Sequence, residues 1–465
     1  MRNQNKKRLI LILSLVAVVL VNFAAYLLPY RAGHPDVSGN GVYVLSDSSR
    51  QMLSGLSRDV EITYFAKSPD ADLRSFLALY KSAHVRVTLE EPETDAADQT
   101  VRVSCGDRVR TLDLSDLYYY SSSKTGELLS LTEYAQISAY LSALDASSDQ
   151  YQSLLYYYGP DVMQTYFAGD AVVSAAVRNL ASDALQTVWV LVGEVGVSPD
   201  WYVALRLEQF GYQLQETDGF SDLPSGALLW LSPKADLSEA QALQLSSFLS
   251  GGGRLFLTTD YQKTNLPNLL SVLSDYGLST ATVPNMVADA VSSGSSSSMS
   301  QTFNAVKANH AINESISGSV TVSYAHAIKI TALDGVHNAE LLRTSLSGGY
   351  VEQDGEETKN ESGCFSLAAT AIRGDGRLVW IGMQFSAALD SYTSGKDSAY
   401  AASCLSWLGG SDGAMSPVGQ AHQIPSTLLN VKVSTFAVWI VIFVALIPIA
   451  LLVVALVLRY IRGKR

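Results

Sequence analysis

A short turn that carries one carboxylate is the first segment whose residues could do chemistry. Gly193-Glu194 closes the apolar segment Thr187–Glu194, which predicts a buried strand. Parallel α/β sheets bind ligands at the carboxyl ends of their strands, so Gly193 and Glu194 are ligand-binding candidates. Glu194 could also serve as a general acid. No His, Cys or Ser follows at a recognisable spacing, and the cysteine of an amidotransferase-type nucleophile is absent, so catalysis is not favoured.

Asp260 and His310 are the other two ligand-binding candidates. Asp260 comes directly after the predicted strand Arg254–Thr258, where a turn or a helix cap competes with a ligand contact. His310 lies in Asn309-His-Ala-Ile-Asn313, and neither His310 nor His326 belongs to an HExxH-like pattern. A structural or surface role is therefore expected for both histidines, and the segment around His310 is expected to turn the chain or contact a neighbouring domain.

Phosphate, metal and redox motifs are missing. Gly251-Gly-Gly253 precedes a strand, whereas phosphate-binding glycines follow a strand and open a helix; this run therefore predicts a helix end. No Walker A sequence occurs, so the chain does not itself hydrolyse ATP. Cys105, Cys364 and Cys404 form no CxxC pair and are too few for a disulfide scaffold, although a Cys364–Cys404 bridge stays open. We therefore predict no catalytic residue, no metal site and no cofactor, and a protein that is not an enzyme.

Two uncharged apolar runs stand near the ends of the chain, over Leu9–Leu28 and Phe436–Leu458. About 20 helical residues cross a hydrocarbon core about 30 Å thick, so each run predicts a transmembrane helix. A signal peptide is the alternative for the first run, but its apolar region is too long and no small-x-small site follows. The Lys and Arg residues in 1–8 and 459–465 place both of these segments in the cytoplasm. The expected location is the plasma membrane, with the central part outside the cytoplasm.

The central part of the chain is strongly acidic. The whole chain has a net charge of −12, with 32 Lys+Arg and 44 Asp+Glu. Eight of the basic residues lie in the two terminal flanks, which contain no acids, so the remainder is near −20. Nucleic acid is excluded as a ligand because its binding requires clustered Lys and Arg. The same charge disfavours docking on anionic lipid head groups.

The first soluble domain is predicted over residues 40–165. The strand Val60–Phe65, the helix Asp72–Ser82 and the strand Val85–Glu91 form a βαβ unit. Val101–Cys105 and Val109–Leu114 predict a hairpin across Gly106-Asp107. We expect a small thioredoxin-like α/β domain without the thioredoxin CxxC.

A second domain is predicted over residues 166–410. Three strand–helix repeats predict a doubly wound, flavodoxin/amidotransferase-like (Rossmann-like) sheet. A Ser-rich insert at 292–300 interrupts this domain, and Arg377–Leu408 returns to it. Residues 411–435 are predicted to be a linker to the second membrane span. The repeats are formed by the strand Thr187–Glu194, the helix Asp200–Phe210, the strand Leu228–Ser232, the helix Ser238–Leu249 and the strand Arg254–Thr258.

Two tyrosine runs, Leu117-Tyr-Tyr-Tyr120 and Leu154-Leu-Tyr-Tyr-Tyr158, have a composition that could stack sugars. Packing between domains or exposure on a surface is the favoured interpretation, and polysaccharide binding is the alternative.

The order of the segments resembles the gliding-motility-associated (GldG-like) auxiliary components of ABC transport systems. The resemblance covers nearly the whole chain, including both apolar runs. One difference is that the family's Gly-His-Gly-Glu at a strand end is reduced here to Gly193-Glu194. The similar segments are Tyr43–Phe65, Thr187–Glu194 with Leu205–Gln215, Leu231–Leu255, Asn309–Asn313 and Arg377–Phe385.

This resemblance implies an ABC permease and an ATPase as partners, beside the lipid bilayer that the apolar runs predict. The expected function is that of a non-catalytic extracytoplasmic auxiliary subunit, which binds an unknown ligand or partner. A polysaccharide-binding or sensing module is one alternative. An envelope hydrolase that uses the crevice near Glu194 is another.

Overall fold

The computed structural model describes residues 42–92, 98–182, 185–261, 265–280, 286–289, 300–351, 363–386, 389–390, 396–410 and 416–424. Their fold is mixed α/β, as the sequence predicts, and contains several sheets, the largest with nine strands. The Ser-rich insert 292–300 lies outside the described residues, apart from Ser300.

The first unit is built on a four-stranded sheet of order β2-β1-β3-β4. β1 and β2 are parallel, whereas β3 is antiparallel to both β1 and β4. The predicted βαβ unit and hairpin are therefore present. Ser46 and Asp70 cap the two helices, each by accepting the backbone N–H three residues on. The elements are α1 (Asp47–Ser54), β1 (Val60–Phe65), α2 (Ala71–Leu77), β2 (Val85–Glu90), β3 (Thr100–Cys105) and β4 (Arg108–Leu112).

A second four-stranded sheet, of order β21-β7-β5-β6, adjoins this unit. One edge strand, β6, lies close to β5 and β7 in the sequence. The other, β21, comes from residues 422–423 and pairs antiparallel with β7. Two helices leave the β6 end of the sheet before the chain returns along β7. The elements are β5 (Tyr118–Ser122), β6 (Leu128–Ser130), α3 (Leu131–Ala143), α4 (Asp149–Tyr158), β7 (Met163–Phe167), α5 (Gly169–Ala181) and β21 (His422–Gln423).

Helix α5 belongs to the core of the first unit. Its Val173, Ala176 and Val177 pack in one apolar cluster with Ile62 and Val103 of the small sheet. Ala421 and Ile424 pack against the same cluster. The first core therefore includes residues beyond 165, where the sequence predicts the domain boundary, and it includes part of the segment predicted to be a linker.

The second unit contains a nine-stranded sheet of order β15-β14-β17-β19-β20-β11-β10-β8-β9. The five strands from β20 to β9 are parallel to one another. Each of the four strands from β19 to β15 is antiparallel to its neighbours in the sheet. Taken in chain order, the parallel strands are arranged 2-1-3-4-5, which is a doubly wound order. The parallel half is formed by β8 (Gln186–Leu191), β9 (Tyr212–Thr217), β10 (Leu228–Leu231), β11 (Arg254–Thr258) and β20 (Gly376–Ile381).

Helices cover both faces of the parallel half. On one face, Leu228 and Trp230 pack with Tyr400 and Leu405. On the other face, Leu229 and Leu231 pack with helical leucines such as Leu245. Burial on both faces explains the unbroken apolar sequences of these strands. The first face is covered by α6 (Trp201–Gln209) and α10 (Lys396–Gly409), and the second by α7 (Glu239–Ser250) and α8 (Pro267–Ser274).

The antiparallel half is formed by the long excursion between α8 and β20. It extends the sheet beyond β20 and adds two small pairs, β12–β16 and β13–β18. The elements are β12 (Leu278–Thr280), β13 (Met286–Asp289), β14 (Thr302–Lys307), α9 (Ala311–Glu314), β15 (Val320–Ser323), β16 (Ile328–Ile330), β17 (Val336–Arg343), β18 (Gly348–Val351) and β19 (Ser366–Arg373).

The prediction of a membrane-anchored fold is corrected by the helix lengths. Among the described residues, no helix combines the length and the apolar composition that a bilayer crossing requires. α10, with 14 residues, extends about 21 Å at 1.5 Å per residue, against a hydrocarbon core of about 30 Å. The runs 9–28 and 436–458, with the flanks 1–8 and 459–465, lie outside the described residues. The prediction of transmembrane anchors, and of the plasma-membrane location that depends on them, is therefore wrong.

Candidate functional site

The carboxyl ends of β8, β10, β11 and β20 lie at one edge of the sheet. Gly193 and Glu194 follow β8 there, and Asp260 follows β11. The strand order reverses between β8 and β10, which is where such sheets bind ligands. With strands about 4.8 Å apart, the ends of β8 and β11 are about 10 Å apart, because β10 lies between them. The structure therefore brings Glu194 and Asp260 to the same edge without pairing them.

The crevice at the switch point is filled by the chain itself. Gly196 and Pro233 form an isolated antiparallel bridge. The amide of Val197 donates a hydrogen bond to the carbonyl oxygen of Ser232 at 3.1 Å. The amide of Lys234 donates one to the carbonyl oxygen of Val195 at 2.7 Å. A Cβ on Gly196 would lie 2.1 Å from the Leu191 carbonyl oxygen, so only glycine lets this turn fold back against the end of β8. The two loops close the position that a ligand would occupy.

Gly193 and Glu194 lie outside this closure. Gly193 has a φ of +84°, in the left-handed region, and no atom lies within 4 Å of the position its Cβ would take. Glu194 is exposed. The turn therefore holds its carboxylate at the surface and not in a crevice.

Beneath the edge, buried side chains bind one another. The indole Nε1 of Trp230 donates to Ser232 Oγ at 3.0 Å and to Thr258 Oγ1 at 3.2 Å. The two hydroxyls also hydrogen-bond to each other. All three residues are buried, and their bonds satisfy polar groups that would otherwise destabilise the core.

His326 forms a second buried network, which the sequence did not reveal. Its Nδ1 lies 3.2 Å from the Ala327 carbonyl oxygen, so this nitrogen carries the proton and Nε2 accepts from the Thr259 hydroxyl at 2.6 Å. Trp380 Nε1 donates to the same hydroxyl at 2.7 Å. Burial lowers the pKa of His326 to about 4, so the imidazole is neutral at pH 7.

A hydroxyl bound to an imidazole is the arrangement that activates nucleophiles. Here Thr259 and His326 are each only 2% exposed, so a substrate cannot reach the hydroxyl. The pair therefore has a structural role, and it links the end of β11 to the antiparallel half of the sheet.

Asp260 is partly exposed beside an aromatic pair. Tyr261 stacks on Tyr324, with ring centroids 6.0 Å apart and planes 23° from parallel. Tyr324 is 52% exposed and has a φ of +51°. These are the groups that this part of the edge offers to solvent.

His310 lies near the amino ends of the parallel strands, opposite to Glu194 and Asp260. It caps the short helix α9, where Nδ1 accepts from the Ile312 amide at 3.3 Å. Its ring lies 5.4 Å from that of Trp407, which also contacts Arg377 at the amino end of β20. Burial lowers the pKa of His310, and Glu314 opposes this shift. The structure therefore separates His310 from Glu194 and Asp260.

In the described part of the chain, neither the cysteines nor the other residue types that bind metals form a further site. No group of three or more His, Cys, Asp or Glu side chains there could hold a metal ion. Cys105 and Cys404 are buried, Cys364 is exposed, and all three are free thiols. The Cys364–Cys404 bridge that the sequence left open is therefore not formed.

A cleft of about 800 Å³ in the first unit was not predicted. Its walls include Lys81, a hydrogen bond between His84 and Asp59 at 2.9 Å and an ion pair between Arg86 and Glu61 at 2.7 Å. Glu61 thus neutralises Arg86. The cleft is wide and polar, and it contains no buried reactive group.

Helices α3 and α4 with their connecting loop (residues 131–158, here the tyrosine arm) expose most of their surface. All residues of the arm are described, and Leu141 alone has a buried side chain in the two helices. Tyr140, Tyr156 and Tyr157 are 49%, 55% and 41% exposed. Tyr156 and Tyr157 of the second tyrosine run are therefore exposed, while Tyr119 of the first run is buried against Tyr166 and Tyr202.

Comparison with known proteins adds weak similarities of fold. No family model and no curated protein matches the chain. Among solved structures, the mmIFT52 N-terminal domain is 14% identical, with a TM-score of 0.34, over 48% of this chain and 97% of that one. A cytoplasmic protein of Salmonella typhimurium LT2 is 10% identical, with a TM-score of 0.32, over 48% and 98%.

The GH42 β-galactosidase Gan42B from G. stearothermophilus, solved as a catalytic mutant, is 14% identical, with a TM-score of 0.27, over 54% of this chain and 33% of that one. TM-scores at this level assign neither a family nor an activity to this chain.

Proposed function

We propose that this protein is a non-catalytic auxiliary subunit of an ABC-type transport complex. The observation that supports this most directly is the closure of the switch point by the loops at Gly196 and Pro233. An enzyme of this sheet type needs that crevice for its substrate. Here the backbone occupies it, and the Thr259–His326 pair at the end of β11 is buried.

The assignment to a transport complex rests on the order of the sequence segments. The segments similar to the GldG-like family include β8, α7 with its Gly251-Gly-Gly253 end, and β20. In that family the partners are a permease and an ATPase. The chain has no Walker A motif of its own, so ATP hydrolysis belongs to the partner.

Co-expression with the permease–ATPase pairs of the same genome tests the proposal. The tagged full chain is expected to retain both partners through purification and to change the ATPase rate. A chain that emerges alone under conditions that preserve the permease–ATPase pair would refute the function. Glu194→Ala is expected to leave the association unchanged, because Glu194 is exposed and lies outside the closure.

Two alternatives are tested by the same preparations. Glycan binding is favoured by the exposed tyrosines of the arm and by the Tyr261–Tyr324 pair, since aromatic faces stack sugars. A hydrolase that uses Glu194 would lose its activity in Glu194→Ala. Screening the wild type and this variant against envelope glycans separates both alternatives from the transport subunit.

A further inference from the structure

The tyrosine arm (residues 131–158) is largely exposed, and Leu141 alone has a fully buried side chain in its two helices. Its helices contain 13 and 10 residues, and isolated helices shorter than about 12–15 residues are marginal in water. Both begin at well-formed caps, a Ser130–Glu133 capping box and Ser148. The helix ends are therefore specified locally. The aliphatic residues Ile137, Leu154 and Leu155 are half-buried, whereas Tyr140, Tyr156 and Tyr157 face solvent.

The exposed surface has the composition of a protein interface. Tyr140, Tyr156 and Tyr157 expose large rings on rigid side chains, and tyrosine is enriched at interfaces and among their energetically dominant residues. At the base of the arm, the Lys124 ammonium lies 4.9 Å from the centre of the Tyr156 ring. The Tyr156 ring thus forms a cation–π contact with a lysine of the same chain.

The charge of the arm selects among occupants. Residues 131–158 contain no Lys or Arg and three carboxylates, Glu133, Asp145 and Asp149. A second copy would place acid against acid, and an anionic lipid surface would be repelled. A surface that combines Lys or Arg with apolar groups is complementary to both properties of the arm.

We propose that the tyrosine arm is the docking site for a basic, apolar surface of a partner protein. This inference rests on the proposed function, because it names the contact by which the auxiliary subunit would join its complex. The tyrosines bury apolar area and bind cations, and the carboxylates orient the partner and accelerate the encounter.

The first test uses the full chain with the permease–ATPase pair. The triple variant Tyr140→Ala/Tyr156→Ala/Tyr157→Ala is expected to weaken co-purification at least tenfold. The matched control is Leu243→Ala, which removes a 73%-exposed side chain from another helix. If the triple variant associates as the wild type does, the docking inference fails and the proposed function stands. If the wild type itself does not associate, the proposed function fails, and the second test decides the docking inference.

The second test uses defined probes and needs no natural partner. A labelled 14-residue Leu–Lys helical peptide is expected to bind the full chain, and the same peptide with Glu in place of Lys is not. The affinity for the Lys peptide is expected to fall about tenfold in the triple variant. It is also expected to fall about tenfold when the salt concentration rises from 0.05 to 0.5 M, because the Debye length shortens and the charges are screened. Ala135→Lys/Ala139→Lys is expected to weaken binding, and Ala240→Lys on another exposed helix is not.

Equal binding of the Lys and Glu peptides would overturn the inference, and so would unchanged binding of the Lys peptide by the triple variant. Tyrosine-dependent binding of anionic phosphatidylglycerol vesicles, or of a neutral glucan, in place of the peptide would also overturn it. Circular dichroism of each variant, with a melting temperature equal to that of the wild type, shows that the fold is intact.

Discussion

The backbone amide of Gln420 donates a 2.9 Å hydrogen bond to Oδ2 of Asp170, a residue 250 positions earlier in the chain. The same oxygen accepts from the amide of Ser46 at 3.0 Å, and Oδ1 accepts from the Ser174 hydroxyl at 3.2 Å. Asp170 is fully buried at the start of α5. One carboxylate thus joins the beginning and the end of the described chain to the core of the first unit.

Removal of the Asp170 carboxylate should destabilise the first unit. Asp170→Ala leaves the buried amide of Ser46 and the partly buried amide of Gln420 without their acceptor, and hydrogen bonds to charged groups contribute about 1.5–3 kcal/mol each. We expect the free energy of unfolding to fall by about 3–5 kcal/mol, measured by urea denaturation. Proteolysis within residues 416–424 should also accelerate. Asp161→Ala, at an exposed position, is the control and should change stability by less than about 0.5 kcal/mol. Equal stability of the two variants would contradict the role of Asp170.

Replacement of Asp397 should stabilise the protein at alkaline pH. Asp397 is buried, and neither of its carboxylate oxygens has a hydrogen-bond partner among the described residues. Burial together with the nearby Asp390 raises its pKa to about 8. The folded state therefore holds this proton more tightly than the unfolded state, and stability is lost as the pH rises from about 4 to about 8. Asp397→Asn removes that loss.

Thermal melts between pH 4 and pH 9 measure this effect. The melting temperature of Asp397→Asn should exceed that of the wild type by several degrees at pH 9 and should converge with it near pH 4. Asp107→Asn, at an exposed position, is the control. A difference between Asp397→Asn and the wild type that does not change with pH would refute the titration of Asp397.

The His326 network should make the protein sensitive to acid. Burial lowers the pKa of His326 from 6.5 to about 4, so the unfolded state binds the proton more readily. Stability should therefore fall as the pH decreases from about 6.5 to about 4. His326→Gln should remove this part of the pH dependence, whereas His337→Gln, at an exposed position, should retain it. Urea midpoints at pH 7.5, 6, 5 and 4 provide the measurement, and parallel profiles for the wild type and His326→Gln would contradict the prediction.

The two glycines of the β8 turn should respond differently to alanine. At Gly193 the strain is conformational, because φ is +84° and the space for Cβ is open; Gly193→Ala should cost about 1–2 kcal/mol. At Gly196 a Cβ would meet the Leu191 carbonyl at 2.1 Å, and Gly196→Ala should cost about 3 kcal/mol or more, because backbone must move. Chemical denaturation of both variants decides the order. If Gly196→Ala is the milder change, the closed switch point is not rigid.

Local signals determined many of the elements. Ser238 precedes α7 and forms a capping box with Gln241, and Asp200 caps α6, so both helices were predictable from sequence. The apolar runs of β8, β10 and β11 predicted strands covered on both faces. β9 was not predicted, because Tyr212–Thr217 is an edge strand whose alternating Gln residues carry a weak apolar signal.

Hydropathy predicted two membrane spans, over residues 9–28 and 436–458, which lie outside the described residues. Among the described residues, no helix is long and apolar enough to be a span. Hydropathy reports the composition of a run of residues. It is a property of sequence neighbours, and the length of a folded helix has to be established from the structure.

The sequence by itself determined the α/β class of this protein, its acidic charge, the position of Glu194 and Asp260 after strands, and the absence of a Walker A motif. Tertiary structure alone decided that the loops at Gly196 and Pro233 close the switch point, that His326 binds Thr259, and that Asp170 joins both ends of the described chain. The physical reason is range: helix caps and strand patterns depend on residues a few positions apart. These contacts instead join segments 37 to 250 residues apart, and the intervening chain does not specify them.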